Sequence, residues 1–286
     1  MQRSSKAFLF IVLIFALASF FGISKTFAAG FQSATSVGTA GTGRAAIEPI
    51  DVISLNPAGL PHLLGRHFSI STQKNALSVA ISDNTKESMI PGGIAYVQRR
   101  LGEAPDINSQ DFRLSLGEFF KDKWAVGLSA HYLDIKTEGK IYNQLNGDLG
   151  ITYTRNANLG FALVGSDLAP VNKDLPESFQ NQAKLGFGSY WIYKSFFRIR
   201  GDLISNLTKD SRKLTYAVGA ESYVESWFVF RSGLARDELN EEAWGSLGLG
   251  FLGPRFYINY AWEKTVASNN LVEDRNFHSV DLGIPF

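Results

Sequence analysis

From Arg66 onward the apolar residues of the chain recur at every second position, in short runs separated by turn residues. "KWAVGLSAHYLD" puts Trp124, Val126, Leu128, Ala130 and Tyr132 on one face and Ala125, Gly127, Ser129 and His131 on the other. "RFYINYAWEK" sets Phe256, Ile258, Tyr260 and Trp262 against Arg255, Tyr257, Asn259 and Glu263. A period of two predicts strands with one apolar face. Soluble sandwiches alternate too, so the position of the aromatics carries more weight. They stand at both ends of the apolar face, where rings sit well at the two water-lipid boundaries of a transmembrane barrel.

Fourteen such runs can be marked, near 66–74, 76–83, 92–100, 110–118, 123–135, 147–155, 158–166, 181–192, 196–206, 212–223, 226–236, 242–252, 254–263 and 277–286. The expected fold is therefore all-β, an antiparallel transmembrane barrel of even strand number with both termini on one side. The connections support it. After the fourth, sixth, eighth, tenth and twelfth runs they are tight ("FFKDK", "RNAN", "YKS", "VES", "LGP"), whereas "TEGKIYNQLNG", "SDLAPVNKDLPESFQ", "NLTKDSR", "DELNEE" and "TVASNNLVEDRN" are longer and mostly polar. Short periplasmic turns alternating with long outer loops mark outer-membrane barrels. The first two connections, "KN" and "NTKESMI", invert that order.

Register follows from cost in "FFRIRGDLISN". A basic residue facing lipid near the midplane costs roughly 2–4 kcal/mol. Phe197, Ile199 and Leu203 are thus expected to face lipid, and Arg198, Arg200 and Asp202 the lumen. The same reasoning turns Arg113, Lys184, Lys213, Glu221, Arg231, Arg255, Glu263 and Asp281 inward, giving a polar lumen of mixed sign.

The N-terminus sets the compartment. Arg3 and Lys6 precede an uncharged stretch from Ala7 to Ser24, and Thr26 and Ala28 supply small residues before a cut. Residues 1–28 read as a secretory signal peptide, 29–65 as a separate N-terminal segment and 66–286 as the barrel. The destination is the outer membrane of a Gram-negative bacterium, with its lipids and lipopolysaccharide as surroundings. The chain has no cysteine, hence no lipoprotein anchor or disulfide framework. With 28 basic and 27 acidic residues it offers no electrostatic case for nucleic acid.

At the other terminus, Val280, Leu282, Ile284 and the final Phe286 alternate with Ser279, Asp281, Gly283 and Pro285. This resembles the C-terminal signal by which outer-membrane barrels are presented to the barrel-assembly machinery. A monomer is expected.

Eight strands make a barrel that side chains can fill, while sixteen to eighteen leave an aqueous channel, so fourteen require something more in the lumen. Residues 29–65 have no strand pattern and are the natural plug. They carry the glycine-rich "GTAGTGRAA" (Gly38–Ala46), then "EPIDVIS", then "NPAGL" (Asn56–Leu60). This segment resembles the N-terminal hatch of the FadL-type transporters of long-chain fatty acids and hydrocarbons, and of the related PorV- and PorQ-like barrels of protein secretion. The resemblance implies a fourteen-stranded barrel with Asn56, Pro57, Ala58 and Gly59 shaping a hatch. It also implies passive entry of a small hydrophobic ligand and its lateral exit toward the membrane. The chain is shorter than typical FadL transporters, leaving little room for long outer loops. In the motif, Pro57 biases Asn56 toward an extended backbone, and Gly59 is expected to permit a sharp reversal.

Two other readings stay open: a secretion-associated or structural barrel acting through a protein partner, and a barrel lipid hydrolase using Ser129 and His131, two apart on one strand face. "GTAGTG" lacks the preceding strand and the following lysine of a phosphate loop. The histidines at 62, 67, 131 and 278 show no metal-ligand spacing, and no cofactor is expected.

Overall fold

The computed structural model describes residues 31–100, 107–137, 139–170, 172–175, 180–208, 212–268 and 275–286. The expected signal peptide and the first residues of the expected hatch lie outside them. The strands are β1 (Gly65–Gln73), β2 (Ala76–Asn84), β3 (Gly92–Arg100), β4 (Asn108–Lys121), β5 (Trp124–Thr137), β6 (Lys140–Asn156) and β7 (Leu159–Ser166). They continue as β8 (Lys184–Tyr193), β9 (Phe197–Asn206), β10 (Leu214–Val224), β11 (Phe228–Asp237), β12 (Glu242–Leu252), β13 (Tyr257–Ser268) and β14 (Asn276–Pro285).

Each strand pairs antiparallel with its sequence neighbours, and β14 returns to β1, closing a fourteen-stranded barrel. Phe68 stands opposite Ile284 at the seam, and Arg66 and Phe286 exchange backbone hydrogen bonds of 3.0 and 3.3 Å. Closure leaves no free edge strand, a condition for crossing a bilayer. Below, "base" means the end where β1 starts and β14 finishes, and "rim" the opposite end.

The strands are inside out relative to a soluble barrel. Phe112, Leu114, Leu128, Phe187, Phe230, Leu234 and Leu249 are exposed on the outer face, while Ser115, Arg113, Ser129, Asp148, Arg200 and Glu221 are buried on the inner one. A polar interior against an apolar exterior is the arrangement a hydrocarbon solvent selects.

Three sequence expectations need correction. "TEGKIYNQLNG" is not a long outer loop: Thr137 pairs with Lys140, Gly139 turns at φ +77°, and β6 runs for 17 residues. Since β7 pairs only from Leu149 of β6 onward, the tall β5–β6 hairpin rises above β7, while β5 keeps β4 as its neighbour up to Lys136. Arg255 is not lumenal: it lies exposed in the base turn between β12 and β13, where Pro254 removes a ladder donor and delays the strand to Tyr257. Lys213 sits in the rim bend just before β10 rather than on its inward face.

Residues 31–64 do not join the sheet. They form α1 (Ala34–Gly38), α2 (Asp51–Ser54) and a 3-10 helix (Pro57–His62). Ser33 caps α1, its hydroxyl accepting from the Ser36 amide at 3.1 Å. The segment is buried against the inward faces of the strands. α1 lies on β11 to β14, and the 3-10 helix on β2 to β6. Val52, Ile53, Leu60 and Leu63 form an apolar cluster with Ala80 and Ala95 of the wall, and Ala34 and Val37 another with Ala261.

Candidate functional site

Asn56 to Gly59 lie where this inner segment meets the wall. Asn56 is extended (φ −160°, ψ 101°), and its Oδ1 accepts from the Ala58 amide at 3.1 Å, capping the 3-10 helix. Its Nδ2 donates to the Arg44 carbonyl at 2.6 Å, tying the motif back to the glycine-rich stretch. Pro57 occupies the first helical position, where a missing N–H costs nothing. Gly59 differs from expectation. It is absent from the positive-φ glycines, so no reversal requires it, but a Cβ there would stand 2.5 Å from Val52 Cγ1. It is needed for close approach.

The wall is cut to receive the motif. Gly117 of β4 faces the Pro57 carbonyl, and a Cβ there would come within 2.6 Å of that oxygen. Gly127 of β5 lies under the Pro57–Ala58 peptide and Gly150 of β6 under the Asn56 side chain, each with no room for a Cβ. At the end of the helix His62 meets Thr152 Oγ1 at 3.2 Å and the edge of the Phe119 ring at 4.7 Å. Burial lowers the His62 pKa.

Ion pairs fasten the rest. Arg44 Nη1 lies 3.0 Å from Asp202 Oδ2, which also accepts from the Gly43 and Arg44 amides at 3.1 and 3.2 Å. Glu48 receives Arg198 and Arg200 at 3.0 and 2.6 Å. Ser33 donates to Asp51 through its hydroxyl at 2.7 Å and its amide at 3.2 Å. Asp281 accepts from the Ala34 amide at 2.7 Å and from the Ser71 hydroxyl. Burial is the main force pushing the Asp51 carboxyl up to about 7; the Asp281 and Glu48 charges add to it, and the Ser33 hydroxyl opposes.

Of the charged residues selected from sequence, Arg113, Arg200, Asp202, Glu221, Arg231, Glu263 and Asp281 are buried on the inner face, Arg198 is half-buried there, and Lys184 is half-buried at the rim end of β8. Most do not line open water but pair with one another or with the inner segment. Glu263 pairs with Arg275 at 3.2 Å, and Arg275 in turn holds Glu242 at 3.0 Å and lies 4.0 Å over the Trp244 ring. Sequence reasoning missed Arg44, Glu48 and Asp51, and a second cluster at Asp111, His131, Asp148 and Asp167. Alternation in β4, β5 and β6 already turned the first three of that cluster inward; Asp167 follows β7 and carried no signal.

Ser129 and His131 share the inner face, but the Ser129 hydroxyl lies 2.6 Å from that of Ser115, and no hydrogen bond links it to His131 among the described residues. At the seam, Ile284 and Phe286 are exposed outward while Val280 is packed between neighbouring strands. On the outer wall, two adjoining concavities of about 600 and 630 Å³ lie over β9 to β14, floored by Ala220 and Ser232 and walled by Phe197, Leu247 and Trp262. Leu247 and Trp262 point away from the lumen, so these hollows belong to the lipid face.

The architecture has known counterparts. A Pseudomonas aeruginosa FadL homologue superimposes with a TM-score of 0.69 at 10% identity, covering 92% of this chain and all of that one. The Ralstonia pickettii toluene transporter TbuX gives 0.66 at 14% identity, over 90% of this chain and 98% of that one. The monoaromatic hydrocarbon channel CymD gives 0.65 at 14% identity, over 89% and 97%. The chain has the FadL-type transporter fold. No family model and no curated protein matches the sequence. At such low identities the likeness lies in the FadL-type backbone and strand number. These counterparts are transport channels.

Proposed function

We propose that this protein is an outer-membrane channel for the passive uptake of small hydrophobic compounds, with residues 31–64 acting as its hatch. The observation that carries the reading is the glycine-cut seat of Gly117, Gly127 and Gly150 under Asn56 to Ala58. It holds an otherwise separate segment across the interior of a FadL-type barrel by backbone contact and ion pairs.

The wall supports an exit beside that seat. β3 makes its last pair with β4 at Gly92 and Leu116, while β4 continues through Gly117 to Lys121 without β3 as partner. Leu64, Met89 and Ile90 are exposed in the same corner. An apolar solute that reaches the 3-10 helix meets a lowered wall there and leaves sideways into lipid. The drive is burial of apolar surface, about 25 cal/mol per Å², so no coupled energy source is needed. The export signal, the periplasmic base and the outer-membrane location belong to the same proposal.

The test is uptake of labelled toluene and of a long-chain fatty acid by cells lacking their own hydrocarbon channel, with and without this protein in the outer membrane. Faster entry of at least one compound is expected. Unchanged entry of all of them, with folded barrel present in the membrane, overturns the reading.

A further inference from the structure

We propose that His131, Asp148 and Asp167 form a site for a divalent transition ion of zinc type, placed inside the barrel toward the rim. The three side chains each offer one donor atom, and those atoms lie within 4.8 Å of one another. His131 Nε2 stands 3.4 Å from Asp167 Oδ1 and 3.7 Å from Asp148 Oδ1. A tetrahedral zinc with bonds of about 2.0–2.1 Å has donor-donor edges of about 3.3–3.4 Å. The cluster is therefore near the size that such an ion requires.

The ring itself supplies the second observation. His131 is 1% exposed, and neither of its nitrogens closes a hydrogen bond of ordinary geometry among the described residues. Nδ1 faces Asp111 Oδ1 at 3.3 Å, so that carboxylate can hold the Nδ1–H tautomer and leave the Nε2 lone pair for a metal. Arg113 occupies the opposite oxygens, Asp111 Oδ2 at 2.9 Å and Asp148 Oδ2 at 3.1 Å, which turns both Oδ1 atoms toward the imidazole. Arg113, Arg99 and Lys184 stand around the three aspartates, so the cluster holds three carboxylates and three cationic side chains besides the imidazole. An imidazole among the donors selects zinc-like ions over magnesium or calcium.

The spacing of 17 and 19 residues is unlike any linear motif, yet the fold explains it. Ser129 pairs with Asp148 and His131 with Asn146, so His131 and Asp148 are diagonal neighbours across β5 and β6. Asp167 comes from the stretch after β7, which folds back onto β6: its amide donates to Asp148 Oδ1 at 2.8 Å, and Leu168 donates to the Gly147 carbonyl at 2.9 Å. An ion here would join two strands to that returning stretch and leave one tetrahedral position for water or a further donor.

The purified barrel, stripped with a chelator, should be titrated with Co²⁺ and Zn²⁺ and its metal content measured. One equivalent is expected, with the visible absorption of four-coordinate cobalt, displaced by zinc. His131→Gln and Asp167→Asn should each weaken binding tenfold or more, while Glu263→Gln, another buried lumenal carboxylate, should leave it unchanged. Retention of the unheated gel mobility of a folded barrel checks each variant. Failure of the unmodified folded barrel to bind either ion at micromolar concentration, or equal affinity in His131→Gln, overturns the proposal and leaves His131 as a protonated partner of the aspartates.

Discussion

Replacing Glu221 should be the most damaging single change in the lumen. Its Oε1 accepts from Arg200 Nη2 at 2.8 Å and Arg231 Nε at 2.9 Å, and its Oε2 accepts from the Tyr223 hydroxyl at 2.9 Å and lies 3.2 Å from Arg198 Nη1. One carboxylate thus faces three guanidinium groups from a fully buried position. In Glu221→Ala, Glu48 is the remaining carboxylate on Arg198 and Arg200 among the described residues, and Arg231 keeps the Asn259 side chain at 2.9 Å. Breaking a buried pair by removing one partner costs about 3–5 kcal/mol, because the remaining charge is stranded. Replacing both sides by apolar groups is close to neutral. Glu221→Ala combined with Arg200→Met should therefore recover part of the loss of Glu221→Ala alone. Equilibrium urea unfolding of the barrel in lipid vesicles gives the free energies. A loss below about 1 kcal/mol for Glu221→Ala, or strict additivity in the double variant, refutes the reasoning.

Further outcomes follow from the same contacts. Gly127→Ala should lower stability by about 1–3 kcal/mol through overpacking against Pro57 and Ala58. Gly245→Ala, whose new Cβ would meet its nearest neighbours at an ordinary 3.4 Å on the lipid side, should change it little in the same urea unfolding measurement. Asn56→Ala removes a helix cap worth about 0.5–2 kcal/mol and the tie to Arg44, and should raise the frequency of large conductance events in planar bilayers. For Asp51 the folded-state pKa, about 7, lies above its ordinary 3.8, so the proton favours the folded form. The contribution of Asp51 to stability should be greatest below about pH 4, fall by up to roughly 4 kcal/mol as the pH rises to 7, and stay level above that. Asp51→Asn should flatten that slope in unfolding curves recorded from pH 5 to 8.

Strand positions were legible because lipid and lumen impose opposite chemistry on alternate residues, and a single run such as Phe197 to Asn206 fixes its own facing by cost. The start of β6 was not legible for the same reason. At Ile141 to Asn146 β6 has β5 but not β7 as partner, and Asn143 interrupts the outward row of Ile141 and Leu145 while Gln144 and Asn146 face inward. One polar residue on the outer face breaks the alternation, and the run reads as a loop. The charged residues of the lumen could be placed on the correct face, but not their partners. Glu48 meets Arg198 across 150 residues and Arg44 meets Asp202 across 158, separations that no local pattern encodes. Gly59 was marked as special on the residue type alone; only packing against Val52 shows why.

The tall β5–β6 hairpin also leaves a vulnerable margin. Above Leu149, one side of β6 has no neighbouring strand, and such a row of unsatisfied amides and carbonyls invites pairing with a second chain. The returning stretch after β7 covers that side: Leu168 donates to the Gly147 carbonyl, and Asn172 to that of Asn143 at 3.1 Å. What connects two strands is thus also a guard against edge-to-edge aggregation, and shortening it should open that side of β6 to pairing with other copies of the chain.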